Sequence, residues 1–382
     1  MIRRLTAATL LLAALVLAPT LIAQRAGSAP SAQTAAANEI LWDTWGVPHI
    51  FASTNTDGFY AFGWAQMSSH ANLLLRLYGV SRGRAAEYWG EPYLDLDKYT
   101  RRMGIPARGQ QWVAQQSPAF APLLTAFVNG VNDYAKANPT LIAPNMAAVL
   151  PVTEADVLAH LQRVVVFNFV SNPAVVQGTA DRWERASNAW ALAPSRTAAG
   201  NALLLQNPHL PWNDFYTWFE AGIVTPDVNA YGAALIGMPW MGIGFNDFLG
   251  WTHTVNTMDG SDLYQLTLAD GGYQWNGGVK AFDTTNETIK VKKADGTLRE
   301  EAFTIKRSIH GPVVGEKAGS ALAFRVVGLD QANIGDQYFE MMRAKSFDDF
   351  QRAERRLEMP FFTTVYADRA GHIMHLFGGR TP

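Results

Sequence analysis

The chain has 382 residues, of which 48% are hydrophobic and 12% aromatic, so it has enough apolar material for the core of two ordinary domains or one large one. Its 31 basic and 33 acidic residues nearly cancel and form no basic block, which argues against nucleic acid or an anionic membrane as a partner. The absence of cysteine excludes disulfides, cysteine nucleophiles and thiolate metal sites.

The N-terminus has the features of an export signal. Arg3 and Arg4 form a positive start, an apolar run from Leu5 to Ala18 follows, and Ala23 is a small residue suited to cleavage. The run is too short to span a bilayer. We therefore predict a signal peptide at residues 1–23, a periplasmic location and no membrane association once the signal is removed. An uncleaved membrane anchor is the alternative.

The first part of the mature chain is predicted to be mainly helical, over residues 24–170. Apolar residues at helical spacing predict helices over residues 57–78, 118–137 and 155–169. Thr153, with Asp156 three residues later, is typical of a capped helix start before the last of these segments.

Residues 171–186 differ from the helical segments before them, because they are polar, contain Pro and Gly and show no periodicity. We interpret this segment as a spacer. From residue 187 to 382, short apolar runs between turn signals predict strands, with tight turns at Asp270-Gly271-Gly272 and Asp295-Gly296. The order of elements indicates an α+β fold.

Metal-binding patterns are weak in this sequence. The eight His residues are scattered, and none belongs to an H-E-x-x-H motif. Asp259 and Asp262 lie in a turn-like segment and leave calcium open as an alternative to ordinary turn chemistry. We predict no cofactor and no metal in the reaction.

A G-x-S-x-G pattern surrounds Ser81, in the segment GVSRG. In α/β-hydrolases this pattern forms a nucleophile elbow between a buried strand and a helix. The residues before Ser81 have a helical pattern instead, so Ser81 is the weaker candidate for a nucleophile.

Ser187 begins a predicted strand directly after the spacer. A serine hydroxyl is a weak nucleophile and needs a base, which the serine's own α-amine supplies when the serine is a chain N-terminus. Such an amine has a pKa of about 7.7–8.0. Cleavage between Ala186 and Ser187 would create it. From the residues alone, an ordinary structural serine at a strand start remains the alternative.

Several segments resemble, in order along the chain, those of a known family. Ser187–Leu210 contains Ser-Asn, Trp-Ala-x-Ala-Pro, Thr-Ala-x-Gly and Asn-Pro-His-Leu, and further likenesses lie at Trp45–Ile50, Arg82–Glu87, Ser308–Val313 and Tyr366–Gly371. They resemble the penicillin acylase family of N-terminal-nucleophile hydrolases, most closely the cephalosporin acylase and acyl-homoserine lactone acylase branch.

This resemblance implies a fold and a processing event. The fold is an αββα four-layer sandwich of the α+β class. The precursor is cut before Ser187, so that an α chain and a β chain (residues 187–382) pair with each other. Ala186 stands where the family commonly has glycine.

The resemblance also implies roles for individual residues. Ser187 is the nucleophile in self-cleavage and in amide hydrolysis, and His209 orients its α-amine. The backbone N–H of Val255 donates to the oxyanion, and Asn256 lies beside it in the site. A turn histidine and a buried strand valine are the structural alternatives. A second oxyanion donor and an acidic partner of His209 would fall beyond Pro382, so an acyl-binding remnant without the full catalytic set is the alternative function.

The acyl pocket is predicted to be apolar. Its expected residues are Leu210, Trp218, Phe219, Trp240 and Met241. Because the segment GMPWMGI at 237–243 carries no charge, we predict a small-molecule N-acyl amide with a neutral acyl chain, not a dicarboxylate. A β-lactam antibiotic and an acyl-homoserine lactone both satisfy this description.

Overall fold

The structure is a computed structural model that describes residues 38–171 and 186–382. The predicted signal peptide at 1–23, the start of the mature chain up to residue 37, and residues 172–185 of the predicted spacer lie outside the described residues. No helix within the described ranges is long and apolar enough to cross a membrane.

Helices dominate the described chain before the spacer, as predicted. The helices before the spacer are α1 (Asn55–Ser81), α2 (Ala85–Trp89), α3 (Leu94–Arg102), α4 (Ile105–Val113), α5 (Ala121–Ala137), α6 (Pro144–Ala147) and α7 (Glu154–Leu161). The helices α8 (Ile334–Arg343) and α9 (Phe347–Glu354) lie later in the chain. The predicted capped start is confirmed, because α7 follows Thr153 and the carboxylate of Asp156 accepts from both the N–H and the hydroxyl of Thr153. A π-helix, Gln162–Val170, continues α7.

Glycines allow α1 and α5 to pack backbone to backbone. A Cβ on Gly63 would lie 2.2 Å from the carbonyl oxygen of Phe127, and a Cβ on Gly130 would lie 2.0 Å from that of Tyr60. Any larger residue at either glycine would force the helices apart.

An eight-stranded sheet lies against these helices. Its order is β1-β2-β5-β6-β7-β8-β16-β17, and its pairs are antiparallel except β2 with β5. The strands are β1 (Glu39–Trp42), β2 (Pro48–Phe51), β5 (Trp218–Val224), β6 (Asn229–Leu235), β7 (Ile243–Asn246), β8 (Leu249–Thr254), β16 (Phe361–Asp368) and β17 (Ile373–Gly379). Trp251 and Tyr366 face the helices, where both rings contact Phe350 of α9.

A second, seven-stranded sheet has the order β11-β10-β9-β15-β14-β13-β12. Its strands are β9 (Ser261–Ala269), β10 (Gly272–Trp275), β11 (Gly278–Lys280), β12 (Asp283–Lys292), β13 (Leu298–Ser308), β14 (Gly311–Lys317) and β15 (Ser320–Val326). Both predicted turns are confirmed. Gly271 joins β9 to β10 and Gly296 joins β12 to β13, each at φ +83°, a conformation that favours glycine.

Strands β3 (Ala186–Leu192) and β4 (Leu203–His209) form a separate two-stranded ribbon. The ribbon lies on the face of the eight-stranded sheet opposite the helices. Gln206 donates its side-chain amide to the carbonyls of Gly244 and Trp251, and Leu204 packs against Gly250, whose neighbour Trp251 faces the helices. Helices, sheet and ribbon are thus successive layers, and the predicted α+β class is confirmed.

Candidate active site

Ser187 lies near the start of β3, at the inner face of the ribbon. It is directly opposite Pro208 on β4, and both residues line a cavity between the ribbon and the layers beneath it. The Ser187 hydroxyl donates to the carbonyl oxygen of Ala186 at 2.7 Å. The hydroxyl therefore lies against the peptide unit that self-cleavage would cut.

His209 lies at the end of β4, opposite Ala186. Since side chains alternate between the faces of a strand, the His209 side chain projects outward, away from the cavity that its neighbour Pro208 lines. Its Nε2 is 3.2 Å from the side-chain nitrogen of Asn188, which projects from the same outer face. The structure thus brings the backbones at Ser187 and His209 together but not their side chains.

The cavity beside Ser187 has a volume of about 70 Å³. Among the described residues that line it, none is Asp, Glu, Lys or Arg. The lining residues are Val165, Phe169, Ser187, Pro208, Leu210, Trp218, Leu235, Met238, Trp240, Gly242, Ile243, His253, Val255, Tyr338, Met359 and Phe362. Such an apolar wall beside a hydroxyl suits an uncharged organic group.

One polar network is built into this wall. Tyr338 on α8 contacts Nε2 of His253 on β8 at 2.9 Å, and Nδ1 of His253 is 3.3 Å from the hydroxyl oxygen of Thr364. The Thr364 hydroxyl donates to the carboxylate of Glu354 on α9 at 3.2 Å. The His253 imidazole thus lies between the hydroxyl groups of Tyr338 and Thr364, with one ring nitrogen facing each.

Burial sets the protonation states along this network. Desolvation lowers the pKa of His253 to about 4, so its imidazole is neutral at pH 7. Burial raises the pKa of Glu354 to about 7, partly offset by the hydrogen bond from Thr364. Burial also raises the pKa of Tyr338 far above its usual value. The network therefore adds no positive charge to the cavity wall at neutral pH.

Val255 and Asn256, the two residues predicted to lie at the oxyanion, directly follow β8 and have different surroundings. Val255 lines the cavity, and its backbone N–H makes no backbone hydrogen bond to another described residue. Asn256 is buried, donates to the carbonyl of Gly378 at 2.6 Å and accepts from the N–H of Met258, so its side chain ties β8 to β17 and does not line the cavity. Of the two, only Val255 lines the cavity.

The cavity wall also contains unusual backbone. Phe362 has a φ of +129°, which residues other than glycine rarely adopt, and its ring stacks on His253. Val165 and Phe169 come from the π-helix, a rare geometry often found at functional sites. Phe362, Val165 and Phe169 all line the cavity.

The sequence matches known proteins over nearly all of the described chain. Residues 37–382 match the sequence profile of the penicillin amidase family. The chain belongs to the penicillin amidase family. It is similar to the acyl-homoserine lactone acylase PvdQ of Pseudomonas syringae pv. syringae strain B728a, at 28% identity over 394 residues, covering 90% of this chain and 50% of that protein. It is also similar to the acyl-homoserine lactone acylase QuiP of Pseudomonas aeruginosa, at 24% identity over 88% of this chain and 48% of that protein.

Among solved structures, a thermostable penicillin G acylase from Alcaligenes faecalis in its orthorhombic form is 21% identical, with a TM-score of 0.46 over 50% of this chain and 35% of that chain. The chain spans about half the length of the curated relatives that it matches. The predicted resemblance to the penicillin acylase family is confirmed.

For this member of the penicillin amidase family, the predicted acyl-pocket residues divide into two groups. Leu210, Trp218 and Trp240 line the cavity. Phe219 does not, because it follows Trp218 on β5 and faces the helices, 5.8 Å from the ring of Phe62. Met241 is fully buried in the main core, outside the cavity lining.

His253, Tyr338 and Phe362 line the cavity, although no sequence pattern predicted them there. Tyr338 is 85 positions from His253 along the chain, so no local motif marks the pair. The one available signal was alternation along β8, which places His253 and Val255 on the same side.

The alternative nucleophile Ser81 is ruled out by its surroundings. Ser81 is the last residue of α1, is fully buried, and donates its hydroxyl to the carbonyl of Leu77 at 2.8 Å. No strand precedes it, so the elbow geometry is absent. Within the described ranges, no group of three or more His, Asp or Glu side chains is arranged to hold a metal ion, including around Asp259 and Asp262.

Proposed function

We propose that this protein is an exported, self-processing amidohydrolase, which hydrolyses the linear amide of a small N-acyl compound through an acyl-enzyme on Ser187. One observation carries the proposal. Among the described residues that line the uncharged cavity, the only serine is the one that begins the family's nucleophile motif, and its hydroxyl lies against the Ala186 carbonyl. Membership of the penicillin amidase family supports the reaction class.

The first step is cleavage of the Ala186–Ser187 bond. The Ser187 oxygen attacks the Ala186 carbonyl carbon, its proton passes to the amide nitrogen as the C–N bond breaks, and that nitrogen becomes the α-amine. An ester now joins Ala186 to the Ser187 oxygen. Water hydrolyses this ester and leaves a carboxylate on Ala186. The products are an α portion (24–170 with the spacer) and a β portion (187–382), which stay paired.

The second step uses the new α-amine of Ser187 as the base. It takes the hydroxyl proton while the oxygen attacks the substrate amide, and then passes the proton to the leaving amine. The N–H of Val255 stabilises the oxyanion, since an unpartnered donor costs nothing to redirect at the moment of reaction. Water then opens the acyl-enzyme and releases the acid. His209 would hold the α-amine from the outer face of the ribbon.

The acyl group is proposed to be neutral. A carboxylate-ended chain would place a charge against Trp218, Trp240 and Phe362, and no described residue of the cavity wall is a cation that would offset its desolvation. The neutral His253 supplies none at pH 7. N-acyl-homoserine lactones and β-lactam side chains with neutral acyl groups fit this requirement. A periplasmic location follows from the signal-like residues 1–23.

Intact mass and N-terminal sequencing of the full chain, expressed with its signal, test the self-cleavage. We expect two fragments, one beginning Ser-Asn-Ala-Trp, and a single uncut chain for Ser187→Ala. Ser81→Ala is the matched control and should be cut like the wild type, because Ser81 is a helix-end residue. A single uncut wild-type chain would contradict self-processing and favour the acyl-binding remnant.

Paired substrates test the acyl preference. Amides of one amine with a neutral acyl chain and with a carboxylate-ended chain of equal length are compared by kcat/KM. We expect the neutral amide to be preferred by at least about tenfold, since an uncompensated buried charge costs more than 1.4 kcal/mol. Faster turnover of the carboxylate-ended amide would refute the neutral pocket while leaving the nucleophile assignment intact.

A further inference from the structure

The cavity wall contains a hydroxyl group that the proposed reaction does not use. It belongs to Tyr338, which lines the cavity together with Trp240, the ring on which it stacks. Within the described chain this hydroxyl makes one hydrogen bond, with Nε2 of His253 at 2.9 Å. Because a hydroxyl both donates and accepts, that contact leaves either its proton or an oxygen lone pair for a ligand. Which of the two is left depends on the tautomer of His253.

The His253 ring is held in one orientation by its neighbours. It stacks on Phe362 at 5.6 Å and meets the ring of Tyr338 edge-on at 5.7 Å. Its Nδ1 faces the Thr364 hydroxyl at 3.3 Å. A neutral imidazole carries its proton on one nitrogen only, so it donates to one of the two hydroxyls and accepts from the other. The direction of the hydrogen bond at Thr364 therefore fixes the direction at Tyr338.

Glu354 sets the direction at Thr364. Its carboxyl is buried and makes its one hydrogen bond within the described chain with the Thr364 hydroxyl, at 3.2 Å. A carboxylate only accepts, so Thr364 then donates to Glu354 and accepts from Nδ1–H of His253. A carboxylic acid instead has an O–H group that needs an acceptor, and the Thr364 oxygen is the one within reach among the described residues. Thr364 then donates to Nδ1.

No described ion pair holds Glu354 in its charged form. Burial raises its pKa to about 7, and the hydrogen bond from Thr364 offsets this in part. On β8 the titratable group is His253, and Asp348 of α9 is exposed. The other charged or titratable groups on α8, α9 and β16 have their own contacts, which are Arg352 with Asp349, Arg356 with Asp336 and Glu340, Arg343 with Phe339, Tyr338 with His253, and Tyr366 with Asp368.

We propose that protonation of Glu354 reverses the hydrogen bonds of this polar network and so allows the Tyr338 hydroxyl to donate into the cavity. With Glu354 protonated, Glu354 donates to Thr364, Thr364 to Nδ1, and Nε2–H to the Tyr338 oxygen, which leaves the Tyr338 proton for a ligand. With Glu354 ionised, every bond runs the other way and Nε2 accepts the Tyr338 proton. One proton enters at Glu354, the hydroxyl protons rotate, and the imidazole proton moves from Nδ1 to Nε2.

Tyr338 is then a specificity-determining residue, and Glu354 is a positioning residue that acts through it. This assignment rests on the proposed function, because the ligand is the acyl chain of the N-acyl amide. A free O–H group in an apolar wall favours an acyl chain with an acceptor oxygen, since a buried donor or acceptor without a partner loses the hydrogen bonds that it made to water. The preference should be present at pH 5 and absent at pH 8, on either side of the Glu354 pKa of about 7.

The first test determines the His253 tautomer without a ligand, by nitrogen-15 NMR of the full chain labelled at histidine. The His253 signal is the one absent from His253→Gln. We expect Nε2–H at pH 5 and Nδ1–H at pH 8, values at which the imidazole is mainly neutral because burial lowers its pKa to about 4. In Glu354→Gln the tautomer should not change with pH, because the amide does not titrate.

Thr364→Val removes the hydroxyl that links Glu354 to His253, so the tautomer should no longer follow pH. Thr252→Val is the matched control, since Thr252 is a buried threonine of β8 whose hydroxyl has no hydrogen-bond partner among the described residues. It should behave like the wild type. One tautomer at both pH values in the wild type would overturn the proposal, and so would a change that persists in Thr364→Val.

The second test measures the ligand preference by calorimetric titration of Ser187→Ala protein, which binds without turnover. The ligands are amides of one amine with acyl chains of equal length, either all methylene or with an ether oxygen replacing one methylene at each position in turn. We expect one ether amide to bind about fivefold more tightly than the methylene amide at pH 5, a typical contribution of one hydrogen bond, and to lose this advantage at pH 8. Tyr338→Phe should abolish the advantage at pH 5.

An advantage of equal size at both pH values, or one that Tyr338→Phe retains, would overturn the proposal. A tautomer change without any ether advantage would overturn it too. Failure of every amide to bind at either pH, together with the tautomer change, would refute the acyl site of the proposed function and with it the ligand, while the reversal of the network would stand.

Discussion

The side chains of Ser187 and His209 project from opposite faces of one two-stranded ribbon. Ser187 faces the cavity together with Pro208, whereas His209 faces outward with Asn188. The two backbones nevertheless meet at the peptide unit before Ser187, since His209 is the cross-strand partner of Ala186. We therefore propose that His209 acts on the α-amine that cleavage would create, and not on the serine hydroxyl.

Because of this geometry, we expect the variant His209→Ala to affect self-cleavage and amide hydrolysis differently. Before the cut no α-amine exists, so we expect self-cleavage to proceed at close to the wild-type rate. Amide hydrolysis should fall by about a hundredfold, the usual loss when acid–base catalysis is impaired. Intact mass gives the first rate and release of the free amine gives the second. His375→Ala, an exposed histidine on β17, is the control. Equal loss in both reactions would contradict the assignment.

Trp240 is expected to limit the length of the acyl chain. Its ring is stacked on Tyr338 at 5.7 Å between centroids, and both line the cavity. Trp240→Leu should enlarge the cavity and raise the affinity ratio of longer to shorter neutral acyl amides by about tenfold, the smallest effect usual for one methylene. Calorimetric titration of Ser187→Ala protein measures binding without turnover.

The control for this variant is Phe219→Leu. It truncates a buried aromatic ring of β5 that faces Phe62 and not the cavity. It should lower stability without changing the chain-length ratio. If both variants change the ratio equally, the effect comes from loosened packing and Trp240 does not limit the chain.

The sequence predicted the helices and strands better than the contacts between residues that lie far apart along the chain. Periodicity located the long helices and the Asp295-Gly296 hairpin because those signals are local. The His253–Thr364 contact joins positions 111 apart, and no local pattern encodes it. Adjacent Trp218 and Phe219 were both assigned to the pocket, although strand alternation allows only one of them to face it.

The Arg-Gly-Arg segment illustrates a different limit of motif-based prediction. It was part of the family resemblance, yet Arg82 forms a two-point ion pair with Asp156 and contacts the carbonyl of Pro151. The guanidinium joins the end of α1 to the start of α7, and neither Arg82 nor Asp156 lines the cavity. A motif shared across a family thus marks the fold as often as the site, and only burial and partners distinguish the two.

Helix packing gives a prediction that is independent of catalysis. In Gly130→Ala, the new methyl would lie 2.0 Å from the carbonyl oxygen of Tyr60 and 3.0 Å from the backbone nitrogen of Trp64. Neither backbone atom moves without separating α1 from α5, so we expect a loss of about 3 kcal/mol in the free energy of unfolding. Gly315→Ala is the control, because the nearest atom there is 3.9 Å away. Similar urea midpoints for the two variants would disprove the backbone contact.

Glu354 should make stability depend on pH. Its pKa is raised from 4.5 to about 7 in the folded chain by burial, so the folded state holds a proton that the unfolded state has already lost between those values. The free energy of unfolding should therefore fall as pH rises from about 4.5 to about 7 and then level off. The total change from this group is about 3 kcal/mol, at 1.36 kcal/mol per unit.

Glu354→Gln isolates this contribution, because the amide oxygen still accepts from Thr364 but the group no longer titrates. Urea unfolding at pH 5 and pH 8 should show the wild type losing about 3 kcal/mol relative to the variant. The exposed Glu300→Gln should follow the wild type at both values. Parallel pH profiles for wild type and Glu354→Gln would mean that the buried carboxyl of Glu354 is not protonated at pH 5.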